Sequence, residues 1–133
     1  MPNVKHVEQK SILQINSDLL DLRDKAQTGR LTADDFANGT FSLSSVGNIG
    51  GTYAVPVVLR PQAAIIAIGK ARKYAKFVDD PTASGGHRWV PAEAINFSIS
   101  ADHRIIDGAT AARFAARMKT LLENPNLMLL NMH

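Results

Sequence analysis

The stretch from Ala63 to Gly69, Ala-Ala-Ile-Ile-Ala-Ile-Gly, is apolar without interruption. A β-strand covered on both faces fits such a run best. A strand of that kind needs one layer above it and another below, which restricts the chain to a layered architecture.

The flanking sequence supplies material for those layers. From about Glu8 to Gln27, Ile12, Ile15, Leu19, Leu22 and Ala26 recur at alternating spacings of three and four, which predicts a helix with one apolar stripe. Gly29 is its stop signal. Thr32-Ala-Asp-Asp35 offers a hydroxyl cap with a carboxylate three residues on, so a short helical turn is expected, ending near Asn38-Gly39. Thr40 to Ser44 alternates as a strand does, with Phe41 and Leu43 on one face. Ser44 to Gly51 contains three glycines, which implies tight turns or the close approach of another backbone or a ligand. Tyr53 to Leu59 is expected as a strand, at an edge or bulge because of Pro56.

Asp79 to Gly86 is a loop by composition, and Trp89-Val90 begins a further strand. Ala94 to Ser100 alternates, with Ile95, Phe97 and Ile99 opposite Asn96, Ser98 and Ser100. A second long helix runs from about Ala109 to Glu123, with Ala111, Phe114, Met118 and Leu121 as its stripe and Pro125 as its stop. This order predicts one mixed sheet with both long helices on the same face, their stripes covered by the strands.

Composition narrows the chemistry. Of 133 residues, 45% are apolar, enough for a core, and a net charge of +3 demands no nucleic-acid partner. The densest basic stretch, Lys70, Arg72, Lys73 and Lys76, reads either as a solvated face or as an anion contact, for instance with cofactor phosphates. The absence of cysteine excludes a disulfide scaffold, a thiolate nucleophile and a cysteine zinc site. No apolar run approaches the roughly 18 residues that span a bilayer, so no membrane partner is expected. Met1-Pro2-Asn3-Val4-Lys5 has no signal- or transit-peptide pattern.

Four histidines are candidate bases: His6, His87, His103 and His133. His103 stands apart because it follows a buried strand and precedes a helix, inside Ser100-Ala-Asp-His-Arg-Ile-Ile-Asp-Gly108. Active sites of layered α/β domains collect at such junctions. A neutral imidazole there can take a proton near physiological pH. By spacing alone, His103 reads sooner as a hydrogen-bonded structural residue, and Asp107 as a helix cap. His103 and Asp107 make at most two metal ligands with no third at a sensible spacing, so no metal is expected.

Asp102-His-Arg-Ile-Ile-Asp-Gly-Ala109 resembles the His-x-x-x-Asp-Gly signature of the dihydrolipoamide acyltransferases, the core components of 2-oxo acid dehydrogenase complexes. Chloramphenicol acetyltransferase shares the shorter form. Gly39 to Thr52 resembles the family's glycine-rich serine segment, and Pro61 to Gly69 its apolar strand. Pro2 to Lys5, Leu122-Glu-Asn-Pro125 and Met128-Leu-Leu130 follow in the family's order, so the resemblance covers nearly the whole chain.

The resemblance implies an α/β mixed-sheet sandwich of the chloramphenicol acetyltransferase-like, CoA-dependent acyltransferase type. Residues 1–133 would be the C-terminal part of the catalytic domain, a partial domain, because the family's domain is nearly twice as long. The lipoyl domain, which carries the lipoyl group, and the partner-binding domain would precede it in the parent. Two local features depart from or vary within the family: Arg60 replaces a more usual small polar residue or proline, and the loop at Gly85-Gly86 is variable.

The implied reaction moves an acyl group from dihydrolipoamide to CoA as co-substrate. His103 is the implied general base for the CoA thiol, Ser44 the implied hydrogen-bond donor to the tetrahedral oxyanion, and Asp107 an orienting residue. The base is expected to be held in one tautomer by a backbone carbonyl at Nδ1. Ser100-Ala101, Ala109-Thr110, Arg113-Phe114 and Leu122-Glu-Asn-Pro125 resemble the branched-chain type most.

The family's trimers place histidine and serine on neighbouring subunits. They join into a cubic or dodecahedral core through C-terminal apolar residues, matched here by Met128, Leu129 and Leu130; a tail folded on its own core is the alternative for these. Implied partners are the dehydrogenase and dihydrolipoamide dehydrogenase components, in the mitochondrial matrix or bacterial cytoplasm. Two other functions stay open: a non-catalytic assembly fragment of that core, and a stand-alone acetyltransferase for a hydroxylated small molecule.

Overall fold

The computed structural model describes residues 1–130, and its residues group into two compact units. One unit joins Met1–Phe41 to the chain from His103 onward; the other is Ser42–Asp102. His133 lies outside the described residues.

The first unit is helical. α1 spans Ile12–Gln27, α2 Ala33–Phe36, α3 Gly108–Glu123 and α4 Asn126–Leu129. Ser11 starts α1 with a capping box: its hydroxyl accepts from Gln14 N while Gln14 Oε1 accepts from Ser11 N. The expected start near Glu8 is instead a short 3-10 turn, Val7–Gln9, ahead of that cap. Gly29 ends α1 as expected. Its φ of +68° lets Arg30 N reach Lys25 O at 2.8 Å and Gly29 N reach Ala26 O at 3.4 Å, satisfying the last carbonyls. α2 begins at the predicted Thr32–Asp35 pair. The N-terminal segment is tied to the turn after α2 by Asn3 N to Asp35 O and Asn3 Nδ2 to Ala37 O, both 2.9 Å. Phe41 and Phe114 meet with ring centroids 5.9 Å apart.

The helical stripes did not behave as expected. No residue of α1 or α3 is fully buried; Ile12 and Leu19 are each 54% exposed and Phe114 is 47% exposed, while Ile15, Leu22, Ala111, Met118 and Leu121 are half-buried. Ile12, Leu19 and Phe114 are thus exposed where covered stripes were expected. An amphipathic helix takes most of its stability from a packed stripe, and the residues of this unit cover these stripes only in part.

The second unit carries the sheets. β1 (Ser42–Ser45), β2 (Ala64–Ile68) and β5 (Phe97–Ala101) form one sheet in the order β1-β2-β5, and β3 (Arg72–Asp79) and β4 (His87–Ala94) form a separate ribbon. β2 runs parallel to β1 and antiparallel to β5, so the sheet is mixed. The Ala63–Gly69 run is its centre: Ala64, Ile65, Ile66 and Ala67 are all buried, Ile66 at 2% exposure. Each isoleucine so buried is worth roughly 1.5–3 kcal/mol.

The alternation expected over Thr40 to Ser44 is present in β1, and its buried side is the serine side. Ser42, not Leu43, is buried, and its hydroxyl donates to Gln62 Oε1 at 2.6 Å, while Leu43 is 60% exposed. Two glycines explain the packing beside it. A Cβ on Gly69 would stand 2.1 Å from Thr52 O, and one on Gly47 would stand 3.0 Å from the Gly69 backbone. The glycine-rich turn thus folds its backbone onto the end of β2, which is the close approach its composition suggested.

Tyr53–Leu59, expected as a strand, joins no ladder. Its period of two survives: Ala54, Pro56 and Val58 are half-buried while Tyr53, Val55, Val57 and Leu59 are exposed. Pro56 has no N–H to give a ladder, and extended backbone alone makes no strand. The basic stretch from Arg72 onward lies in β3, a strand that the sequence pattern does not signal. Arg72 lies over the Tyr53 ring at 5.5 Å and donates to its hydroxyl at 2.8 Å, while Lys70, Lys73 and Lys76 are exposed.

Candidate active site

β5 delivers His103 directly. The β2–β5 ladder ends with Ala64 opposite Ala101, and Asp102 N extends it by donating to Ala63 O at 2.8 Å. His103 therefore leaves the sheet one residue past the last ladder bond, in a turn over His103–Ile105, with α3 starting at Gly108. The residue is exposed, and among the described residues its ring has no hydrogen-bond partner. The expected Nδ1 bond to a backbone carbonyl is absent among the described residues.

Asp107 is the N-cap of α3. Its Oδ1 accepts from Thr110 N at 2.6 Å. That backbone N–H holds its carboxyl below the usual carboxylate range, with the Thr110 side chain contributing in the same direction. The cap reading of Asp107 is thus realised, and it pins the turn that carries His103.

The sign of the pH effect follows from this lowered value. The stabilisation is fully present above the unfolded carboxyl value near 3.9 and is lost as pH falls through the lower folded value. Asp35 and Asp80 shift the same way, through Thr32 and Thr82. Asp107→Asn keeps a cap without a titrating charge. It is expected to reduce the difference in melting temperature between pH 7 and pH 3. An unchanged difference, measured by circular dichroism, would sink the assignment.

Ser44 lies in β1 beside Ala67 of β2, and Ala67 in turn lies beside Ser98 of β5. The three side chains share one sheet face, because registered neighbours point the same way. Ser44 is half-buried and its hydroxyl has no partner among the described residues, so it is free to donate. Sequence reasoning passed over Ser42 and Gln62, whose hydrogen bond ties the buried start of β1 to the segment before β2; no local pattern signals a pair 20 residues apart. The structure joins His103 and Asp107 in one turn of one unit, and places Ser44 in the other.

The remaining histidines fall elsewhere. His6 is exposed beside Glu8, and His87 Nδ1 lies 2.9 Å from Asp79 Oδ1 at the end of the β3–β4 ribbon. No group of three His, Asp or Glu side chains able to hold a metal occurs among the described residues, and none of their helices is long and apolar enough to cross a membrane.

A family model described as 2-oxoacid dehydrogenases acyltransferase (catalytic domain) matches residues 1–130. The chain is 45% identical over 129 residues to the lipoamide acyltransferase component of the branched-chain alpha-keto acid dehydrogenase complex, mitochondrial, of Caenorhabditis elegans, covering 97% of this chain and 28% of that protein. It is 44% identical to the Bos taurus counterpart, covering 99% and 26%. Among solved structures it is similar to Azotobacter vinelandii dihydrolipoamide acetyltransferase, studied for a serine, a histidine and an asparagine in its catalytic mechanism, with a TM-score of 0.82, 38% identity, and 96% and 50% coverage. A cubic core of the pyruvate dehydrogenase multienzyme complex matches with the same TM-score and identity. The chain thus spans about a quarter of these curated relatives and half of these solved cores.

Proposed function

The chain belongs to the 2-oxoacid dehydrogenase acyltransferase family, and from that premise we propose that its parent protein transfers an acyl group, of the branched-chain class, from dihydrolipoamide to CoA. One observation carries the reading: His103 is displayed at the end of a core strand, by a turn that Asp107 caps. The asparagine studied in the Azotobacter enzyme follows its histidine by four residues, as Asp107 follows His103.

In this mechanism the imidazole of His103 takes the proton of the CoA thiol. The thiolate attacks the acyl carbonyl carbon, and the tetrahedral oxyanion accepts a hydrogen bond from the Ser44 hydroxyl. Collapse breaks the bond to the dihydrolipoamide sulfur, which leaves with the proton held by His103. A thiol is already a good nucleophile, so a base and an oxyanion donor suffice.

Residues 1–133 read as the C-terminal part of the catalytic domain. The exposed stripes of α1 and α3 support this, since the solved cores contain as much chain again. Trimers assembling into a cubic or dodecahedral core fit the apolar tail, where Leu129 and Leu130 are 71% and 82% exposed. The dehydrogenase and dihydrolipoamide dehydrogenase components are the proposed partners. Mitochondrial and Staphylococcus aureus relatives support a mitochondrial matrix or bacterial cytoplasmic setting. The same exposed stripes also favour a second reading, an assembly piece of such a core without turnover.

The test uses the protein expressed from its complete coding sequence, with acyl-dihydrolipoamide and CoA. Acyl-CoA is expected to form, faster from an isobutyryl than from an acetyl donor. A folded assembly that forms neither would leave only the assembly reading.

A further inference from the structure

β1 is only four residues long, Ser-Leu-Ser-Ser from Ser42 to Ser45. A ladder this short specifies its own register weakly, and a slip of one residue turns every side chain to the other face. Ser44 and Ser45 are adjacent, so register alone decides which of the two hydroxyls stands beside Ala67 of β2. Contacts outside the ladder have to fix it.

Both ends of β1 have such contacts. At its start the Ser42 hydroxyl donates to Gln62 Oε1. At its end Val46 N donates to Ile68 O and Gly51 N returns to Val46 O, each at 3.0 Å. Lys70 N then donates to Gly51 O at 2.7 Å, which closes the glycine-rich turn onto the end of β2.

Gly69 is the seat of that closure. It follows Ala67 by two residues and so faces the same way. A Cβ on it would stand 2.1 Å from Thr52 O and 2.8 Å from Thr52 C, both backbone atoms that no side-chain rotation can move aside. Its φ lies outside the left-handed region, so a side chain is barred there by space and not by backbone conformation. Gly47 completes the seat, since a Cβ on it would meet the backbone of Gly69 and Lys70 at 3.0 Å.

We propose that Gly69 is a positioning residue for the Ser44 hydroxyl: the seat it gives the Thr52 backbone locks β1 in the register that sets Ser44, and not Ser45, beside Ala67. The inference rests on the oxyanion role given to Ser44. A methyl group at position 69 forces Thr52 to lift. The lift passes through Gly51 and Val46, which are hydrogen-bonded to each other, to the end of β1 two residues from Ser44. A catalytic group misplaced by about 1 Å loses roughly a hundredfold in rate. Oxyanion donation acts in the transition state, so the loss falls on kcat and not on KM.

The test uses the complete protein with acyl-dihydrolipoamide and CoA. Gly69→Ala is expected to lower kcat by roughly a hundredfold with KM for CoA nearly unchanged, and Ser45→Ala to leave kcat unchanged. In a Ser44→Ala background, Gly69→Ala is expected to cost less than about threefold more, because a hydroxyl that is gone cannot be misplaced. Parental kcat in Gly69→Ala overturns the proposal. So does a loss that multiplies in full onto that of Ser44→Ala, which is the mark of a general structural defect. If Gly69→Ala does not fold, Gly47→Ala takes its place, because its 3.0 Å contacts yield by a few tenths of an ångström. Its smaller loss is again expected to vanish in the Ser44→Ala background, and persistence there overturns the proposal. Amide exchange separates this outcome from the fate of the catalytic reading. Whatever the role of Ser44, Gly69→Ala is expected to speed exchange at Val46, Gly51 and Lys70 by roughly tenfold or more, and unchanged exchange overturns the seat. Parental kcat in Ser44→Ala refutes the oxyanion reading, and exchange alone then decides the register lock.

Discussion

His103→Ala in the complete protein is expected to lower acyl transfer to CoA by roughly 10²- to 10⁴-fold, the range typical of removing a general base. No other side chain in the described turn replaces it: Asp107 is engaged as the cap of α3, and its carboxyl is held acidic by Thr110 N. A carboxylate so lowered is a poor proton acceptor near neutral pH. The loss should shrink as pH rises toward the thiol's own ionisation, because free thiolate then needs no base. Circular dichroism should be unchanged, since the exposed ring makes no hydrogen bond within the described residues. Turnover near that of the parent protein at neutral pH would refute the mechanism.

Ser44→Ala is expected to lower kcat by roughly 10²- to 10³-fold while leaving KM for CoA nearly unchanged. Among the described residues the side-chain hydroxyl has no partner that the substitution would orphan, and Ala67 beside it shows that the face accepts a methyl group. A stability defect is therefore not the expected cause of lost activity. Ser42→Ala is the informative control, because it breaks the hydrogen bond to Gln62 Oε1 in a buried position. It should destabilise by about 1–3 kcal/mol with a smaller effect on kcat in the folded fraction. Equal kcat losses in the two variants would count against a specific oxyanion role for Ser44.

Much of this was legible before the fold was known, wherever a single residue or a short pattern carries the physics. The apolar run at Ala63–Gly69 named the central strand because no other arrangement covers both faces of such a segment. Thr32 with Asp35, Gly29 and Asp107 marked helix ends because caps act within one turn. The His103–Asp107–Gly108 junction was found because its parts lie within six residues of one another.

Tertiary structure decided everything that depends on a partner distant in sequence. Alternation put Phe41 and Leu43 on one face of a strand but does not say which face is buried; the buried one carries Ser42, hydrogen-bonded to Gln62 20 residues away. Tyr53–Leu59 kept the period and lost the ladder, because a strand exists only where a neighbour accepts its hydrogen bonds. The basic run at Lys70–Lys76 concealed β3, whose register with β4 alone aligns Phe77 with Trp89 and leaves Lys73 facing outward beside Ala75. The helix stripes were read correctly as stripes, but periodicity identifies an apolar face and not what covers it, and Ile12, Leu19 and Phe114 remain exposed in this chain.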